Sequence, residues 1–222
     1  PCGEEDLNEI VSEKIKGIII PKVENKEDIQ KCHKILVELE ESFGLVKGQV
    51  SLIGIVESVL GVENVFRISA AETENRDFTL AFGAGDYTND LNIEWPEEEF
   101  NLDYPRTRIA SACRISNLSK PIDTVWINLE NEKGLRQSCK RAKSLGFFGK
   151  LCIHPKQIET VNEVFTPSLE EYERALKIKK VFDEVKEKGE GTASVDGKMI
   201  DYPIVYAAER VIELKNHFGF KD

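Results

Sequence analysis

Two acidic residues of the chain, Glu57 and Asp86, each stand at the end of an apolar run. The first run covers residues 50–56 and the second covers residues 78–85. If both runs form neighbouring parallel strands, their carboxyl ends meet at one edge of a sheet and bring the two side chains together. Such a pair suits a hard divalent cation that keeps waters and leaves room for a substrate. The alternative is that each is a solvated acid at a strand end.

Five short apolar runs predict the strands that would position this pair. They are continuous rather than alternating, which is typical of strands covered on both faces. The runs are residues 15–21, 50–57, 78–86, 124–130 and 149–155. Helical spacing of apolar residues predicts helices between some of them, over residues 26–43, 105–118 and 132–145.

Repeated strand-then-helix units predict an α/β fold with a parallel sheet, either doubly wound or closed into a TIM (β/α)8 barrel. The chain contains neither a P-loop nor a complete Rossmann glycine motif, because Gly83-Ala84-Gly85 lacks the third glycine. We therefore favour the barrel. Since a barrel needs eight strands, we expect it to be N-terminally incomplete in this chain, with its first strands upstream of Pro1. The only methionine, Met199, is consistent with a missing start.

The C-terminal part follows a different pattern. Ser168 and Glu171 form a capping-box motif ahead of a helix predicted from Leu169 to about Lys188. Asp196-Gly197 between two short apolar runs predicts a β-hairpin, and a last helix is predicted over residues 203–217. We therefore divide the chain into a partial barrel, residues 1–165, and a helical extension with a hairpin lid, residues 166–222.

Composition excludes several classes of protein. The formal charge of −10 argues against a nucleic-acid surface, which needs a basic face. No apolar stretch approaches the roughly 20 residues of a membrane span, and no signal-peptide pattern opens the chain. The five cysteines form no CxxC motif, which indicates reduced thiols and a cytoplasmic location.

Six motifs, in this order along the chain, carry a resemblance to a known family. They are Ile20-Pro21-Lys22-Val23-Glu24, Ile55-Val56-Glu57-Ser58, Phe82-Gly83-Ala84-Gly85-Asp86, Pro121-Ile122-Asp123, Gly146 to Ile158 with Ile153-His154-Pro155, and Asp196 to Asp201. The chain resembles the citrate lyase β-subunit-like branch of the HpcH/HpaI aldolase/citrate lyase superfamily over nearly its whole length. Gly85 departs from the family, which usually has an acidic or other polar residue there, and we expect this to matter little.

The resemblance implies roles for the site residues. Glu57 and Asp86 would be the ligands of Mg²⁺. Lys22 would be a catalytic residue that lies near the substrate and binds a carboxylate or thioester oxygen, although a solvated lysine before a helix is an equally good interpretation. The resemblance assigns four further residues to substrate binding: Gly83, Ala84, His154 and Pro155.

Asp201 resembles the family's catalytic aspartate, carried on a hairpin that reaches over an active site, usually that of a neighbouring subunit. A partly buried carboxylate there would act as general acid or base. The alternative is that Asp201 caps the last helix, which Pro203 opens.

Other candidates receive simpler interpretations. Cys152 and His154 would share a strand face, but His154 is better explained as a structural or pocket-lining residue than as part of a nucleophile pair. Residues 97–99, three glutamates, are predicted to be solvated. Five arginines are candidates for coenzyme A phosphate contacts: Arg67, Arg106, Arg108, Arg114 and Arg136.

The function implied is a Mg²⁺-dependent carbon–carbon lyase. It would cleave a 3-hydroxyacyl thioester such as citryl-, malyl- or citramalyl-CoA into acetyl-CoA and a 2-oxo acid, with the acyl group on coenzyme A or on an acyl carrier protein. The family implies a homo-oligomer, a trimer or hexamer. Two alternatives remain open: a pyruvate-type class II aldolase of the same superfamily, and a truncated, non-catalytic assembly or binding module.

Overall fold

The fold was examined in a computed structural model that describes residues 3–187 and 191–218. Its largest feature is a sheet of five strands, all parallel, in which strands adjacent along the chain are also neighbours in the sheet. The strands are β1 (Gly17–Ile20), β2 (Ser51–Val56), β3 (Phe78–Phe82), β4 (Ile122–Asp123) and β5 (Gly149–Lys150). The strand order never reverses, so this sheet has no topological switch point of the kind that a doubly wound fold uses for ligands.

The prediction that these strands are buried on both faces holds only for β3, whose five residues are all buried. In β1 and β2 burial alternates along the strand. Leu52 and Val56 are fully buried, whereas Ile19 is 50% exposed. The prediction was wrong for β1 and β2 because a continuous apolar run does not tell whether both faces find a covering layer.

Two of the predicted strands also differ in extent. Residues 124–130 contain no strand, because the sheet residues of that segment are Ile122 and Asp123. The strand predicted over residues 149–155 ends at Lys150, and residues 151–155 are loop. Strand β3 stops at Phe82, so Asp86 lies in the helix that follows and not at a strand end.

The helices predicted over residues 26–43, 105–118 and 132–145 are confirmed with small shifts of their ends, while four others had not been predicted. In the part described, the helices are α1 (Glu4–Ile10), α2 (Lys26–Ser42), α3 (Val59–Ser69), α4 (Ala84–Asp90), α5 (Asp103–Ile115), α6 (Glu132–Ser144), α7 (Lys156–Phe165), α8 (Leu169–Glu187) and α9 (Tyr202–Phe218), with a 3-10 turn at Phe100–Leu102. Helix α2 begins at a capping box formed by Asn25 and Asp28. No helix among the described residues is long and apolar enough to cross a membrane.

A buried ion pair fixes the amino ends of β2 and β3. Arg76 donates two hydrogen bonds to the Glu40 carboxylate, of 2.8 and 2.9 Å, and both side chains are fully buried. Burial alone would raise the pKa of Glu40, but Arg76 and the backbone N–H groups of Val50 and Gly48 hold it below its ordinary value. Glu40 is therefore ionised in the core and ties α2 to the start of β2.

A second buried network joins β4, β5 and α5. Arg106 donates to both oxygens of Asp123, at 2.8 and 2.9 Å, and to Glu99 at 2.8 Å. Lys150 donates to Asp123 at 2.7 Å. Two interpretations from sequence are thereby wrong: Arg106 is fully buried and cannot reach a coenzyme A phosphate, and Glu99 is 1% exposed, not solvated. The three consecutive glutamates of residues 97–99 contain no sequence signal that Glu99 is buried.

The chain divides into two compact units, the first ending at Val161 and the second beginning at Asn162. In the second, the predicted capping box is confirmed, since Ser168 and Glu171 each accept a hydrogen bond from the other's backbone N–H. The predicted hairpin is confirmed as β6 (Ala193–Val195) paired antiparallel with β7 (Lys198–Ile200). Apolar residues of α8, the hairpin and α9 form the hydrophobic core of this second unit. Helix α8 was predicted to reach Lys188, which lies outside the described residues.

Candidate active site

Glu57 and Asp86 converge on one residue, Lys22. The backbone N–H of Lys22 donates to Oε1 of Glu57 at 2.8 Å. The ammonium of the same residue donates to Oδ2 of Asp86. Three residues that the sequence singled out, and that lie 35 and 64 positions apart along the chain, are therefore neighbours.

The position of Glu57 follows from β2, since it is the first residue after Val56. Burial raises the pKa of Glu57. The charge of Asp86 raises this pKa further, while the N–H and ammonium of Lys22 oppose the shift. A carboxylate that is partly desolvated and faces a second negative charge gains from a nearby cation.

Asp86 lies in the first turn of α4, which Gly83 precedes as the N-cap residue. Two hydrogen bonds, one to the end of β2 and one to the residue after β4, hold the backbone that leads into this turn. Gly83 N–H donates to the Val56 carbonyl at 3.0 Å, and Ala84 N–H donates to Oγ1 of Thr124 at 2.9 Å. Sequence reasoning missed Thr124, because a single threonine after a short strand carries no pattern of its own.

Lys22 has a left-handed backbone conformation, with φ of 54°. For a residue with a Cβ this conformation costs on the order of 1–2 kcal/mol. The turn directs the Lys22 N–H to Glu57 while its side chain reaches Asp86. Strain of this kind is typical of functional sites, where the surrounding structure must hold it in place.

The donor set fits a magnesium ion better than a transition metal. Magnesium is usually held by one or two carboxylates, with water and substrate oxygens completing its shell. The described residues contain no cluster of three or more histidine, cysteine, aspartate or glutamate side chains that could hold a metal, so a closed zinc-type site is not present among them. The Lys22 ammonium already binds Asp86, which shows that this carboxylate accepts a cation, while Glu57 accepts the backbone N–H of the same residue.

Gly83 leaves the space that the Glu57 side chain occupies. A methyl group added at Gly83 would lie 2.6 Å from both Cβ and Oε2 of Glu57. We expect Gly83→Ala to displace the carboxylate and to lower the free energy of unfolding by about 1–3 kcal/mol. Chemical denaturation measures the stability, and Mg²⁺ titration measures the effect on the site.

Gly85 provides the matched control for this prediction. The same methyl group at Gly85 would meet only Cζ3 of Trp95, at the ordinary contact distance of 3.6 Å. Gly85→Ala lies inside α4, so it should leave stability unchanged or raise it slightly. Equal losses in both variants would show that the turn, and not the Glu57 contact, is sensitive to substitution.

His154 and Pro155 lie at the start of α7. Nδ1 of His154 accepts the Lys156 N–H at 3.1 Å, and the Pro155 carbonyl accepts the Ile158 N–H at 3.1 Å. Residues 151–155 are not a strand, so the expectation that Cys152 and His154 share a strand face was wrong. Partial desolvation raises the pKa of Cys152, which argues against an activated thiolate.

Asp201 belongs to the second unit and lies between β7 and α9. Its Oδ1 accepts the Ile204 N–H at 3.4 Å, and its carbonyl accepts the Ile204 and Val205 N–H groups at 3.1 and 3.0 Å. This is the geometry of a helix N-cap. The cap contact occupies one carboxylate oxygen, so it leaves the second available for chemistry and does not test the catalytic assignment.

A comparison of whole sequences identifies the family of this chain. Residues 1–155 match the HpcH/HpaI aldolase/citrate lyase family. The chain therefore belongs to this family, and the resemblance found in the sequence is confirmed.

Individual relatives make the likeness more specific. The chain is 34% identical to citrate lyase subunit beta of Leuconostoc mesenteroides subsp. cremoris over 97% of its own length and 70% of the relative's. It is 28% identical to the L-malyl-CoA/beta-methylmalyl-CoA lyase of Cereibacter sphaeroides strain ATCC 17025, covering 93% and 69%. Both of these relatives are named as lyases.

Solved structures support the fold. A citrate lyase from Burkholderia xenovorans LB400 superposes with a TM-score of 0.81 at 18% identity, covering 97% of this chain and 69% of that one. CitE from Mycobacterium tuberculosis, in complex with magnesium, acetoacetate and coenzyme A, superposes with a TM-score of 0.66 at 21% identity, covering 90% and 68%. At these identities the likeness establishes an α/β fold with a parallel sheet.

Proposed function

We propose that this protein is a Mg²⁺-dependent carbon–carbon lyase that cleaves a 3-hydroxyacyl thioester into an acetyl thioester and a 2-oxo acid. The observation that carries the proposal is the convergence of Glu57 and Asp86 on Lys22. The relatives support the reaction class, because they are a citrate lyase subunit and a malyl-CoA lyase. The magnesium and coenzyme A in the related CitE structure support the choice of ion and of carrier.

Each residue of the site has a role in this proposal. Glu57 and Asp86 would hold Mg²⁺, which when bound supplies Lewis-acid polarisation of a carbonyl oxygen. The Lys22 ammonium binds an anionic oxygen of the substrate. Gly83 and Ala84, at the start of α4, are kept as candidates for substrate binding, and the missing side chain of Gly83 leaves room for Glu57. His154 and Pro155 remain candidates for substrate contacts.

Asp201 is proposed as the general acid or base that exchanges a proton with the acetyl thioester carbon. We expect Asp201→Asn to keep Mg²⁺ affinity and to lower turnover by about 10²–10⁴-fold. Asparagine caps a helix as well as aspartate does, so the fold should be unaffected. Unchanged turnover in Asp201→Asn would show that Asp201 only caps the helix.

We further propose that the five strands are part of a (β/α)8 barrel, because parallel strands in consecutive order suit a barrel wall. In such barrels the site lies at the carboxyl ends of the strands, where Glu57 follows β2. A homo-oligomer, trimer or hexamer, would let Asp201 serve the site of a neighbouring subunit. The free thiols of Cys113, Cys139 and Cys152 support a reducing, cytoplasmic location.

A substrate panel tests the proposal. Citryl-, malyl- and citramalyl-CoA, the corresponding acyl-carrier thioesters and a set of 4-hydroxy-2-oxo acids would be incubated with the full chain in Mg²⁺ or in excess EDTA. We expect one of them to yield an acetyl thioester and its 2-oxo acid in a Mg²⁺-dependent manner. Cleavage restricted to 4-hydroxy-2-oxo acids would identify a pyruvate-type aldolase instead. No cleavage of any compound would favour the non-catalytic binding module.

A further inference from the structure

The most informative feature outside the proposed reaction is the position of the Lys22 ammonium. It lies directly on Oδ2 of Asp86, one of the two oxygens with which this side chain could hold a metal ion. A divalent cation on either oxygen of the same carboxylate would lie close to the ammonium, and like charges repel strongly at such short distances. The ammonium and a divalent cation must therefore compete for Asp86.

We propose that Lys22 acts as an internal cation that Mg²⁺ displaces from Asp86, and that this displacement frees the ammonium for an anionic group of the substrate. The inference rests on the proposed function, because it takes Glu57 and Asp86 as the ligands. It goes further by giving the Lys22 ammonium two successive partners, Asp86 before the ion binds and the substrate afterwards.

The surroundings of the pair allow such an exchange. The side chains of Lys22 and Asp86 are 61% and 51% exposed, so no packing holds them together. Exposed ion pairs are weak, and a doubly charged ion attracts a carboxylate more strongly than an ammonium does. The Lys22 backbone, by contrast, stays attached to Glu57 through its N–H. Only the side chain has to move.

The exchange has a consequence for the order of binding. While Lys22 is bound to Asp86, both the ligand oxygen and the substrate-binding ammonium are occupied. Binding of the ion makes the ammonium available, so ion and anionic substrate should bind with positive coupling, each raising the affinity of the other.

The first test is calorimetric titration of Mg²⁺ into Lys22→Met, which removes the competing charge and keeps the backbone N–H. We expect Mg²⁺ to bind about two- to five-fold more tightly than to the wild type, which corresponds to an exposed ion pair. Lys47→Met is the control. The Lys47 ammonium forms a similarly exposed ion pair with Glu74, with 2.8 Å between Nζ and Oε2, and this pair is not part of the site. The control variant loses the same charge and should bind Mg²⁺ with wild-type affinity.

The second test follows the ammonium itself. The full chain is briefly treated with an acylating N-hydroxysuccinimide ester in MgCl₂ or in NaCl of equal ionic strength, and labelling is quantified by mass spectrometry. We expect Mg²⁺ to raise labelling of Lys22 at least about two-fold, because the amine is bound to Asp86 and is available to the reagent only after the ion has displaced it. Labelling of Lys47 should not change.

The outcomes separate this inference from the proposed function. If Mg²⁺ binds through Glu57 and Asp86 while Lys22→Met has unchanged or weaker affinity, the displacement is wrong and the proposed metal site stands. Unchanged Lys22 labelling in Mg²⁺ would also contradict it. If the wild type binds no Mg²⁺, both the metal site and the displacement are wrong.

Discussion

Turnover of the thioester substrate should fall about a thousand-fold in Asp86→Asn and in Glu57→Gln. Charge stabilisation by a bound metal ion is worth several kcal/mol in a transition state, and about 4 kcal/mol corresponds to a factor of a thousand. Asparagine and glutamine keep the shape and one acceptor oxygen of the original residues. The loss should therefore come from the missing charge, and steady-state kinetics at saturating Mg²⁺ measures it.

The control for this prediction is Glu74→Gln. Glu74, like Asp86, is an exposed carboxylate paired with a lysine, and its side chain is 58% exposed against 51% for Asp86. It changes the net charge equally but lies elsewhere, so turnover should stay within about two-fold of the wild type. Near-normal turnover in both Asp86→Asn and Glu57→Gln would show that neither residue takes part in the reaction.

Removing Arg106 should strongly destabilise the fold. Arg106→Met leaves the buried carboxylates of Asp123 and Glu99 without their shared partner. Breaking a buried ion pair by removing one side typically costs about 3–5 kcal/mol, because the remaining charge is uncompensated. Lys150 still pairs with Asp123, and Ser138 still donates to Glu99 at 2.7 Å, which places the loss at the lower end of that range.

Arg141 allows the same substitution in a solvated setting. It donates to both oxygens of Asp103 at 2.5 and 2.6 Å, but its side chain is 35% exposed. We expect Arg141→Met to cost less than about 1 kcal/mol in urea denaturation. If both variants lost the same stability, burial would not be the reason that the Arg106 network matters.

The elements whose position depends on local signals could be predicted from sequence. Helix α8 begins at the capping box predicted from Ser168 and Glu171, and the hairpin turns at Asp196-Gly197. The convergence of Glu57 and Asp86 was predicted from two apolar runs ending in acids, and it survives even though Asp86 lies in α4. Because strand end and helix start adjoin at Gly83, an error of a few residues in the strand did not move Asp86 away from the site.

The features that depend on distant residues could not be predicted. The buried partners of Arg106 come from two other segments of the chain, and nothing in the sequence near Arg106 distinguishes it from the exposed arginines. Likewise, the left-handed conformation of Lys22 has no local signal, since it follows Pro21 and precedes Val23 without a glycine. These residues take their roles from tertiary contacts, which single-sequence patterns do not record.

The most direct test of the metal site is calorimetric titration of Mg²⁺ into the wild type, Asp86→Asn, Glu57→Gln and the double variant. If the two carboxylates hold one ion, the wild type binds one Mg²⁺ per chain and each single variant binds it at least about ten-fold more weakly. The double variant should then lose less affinity than the sum of the two single losses, because the residues share one ligand. Wild-type affinity in both single variants would contradict the shared site.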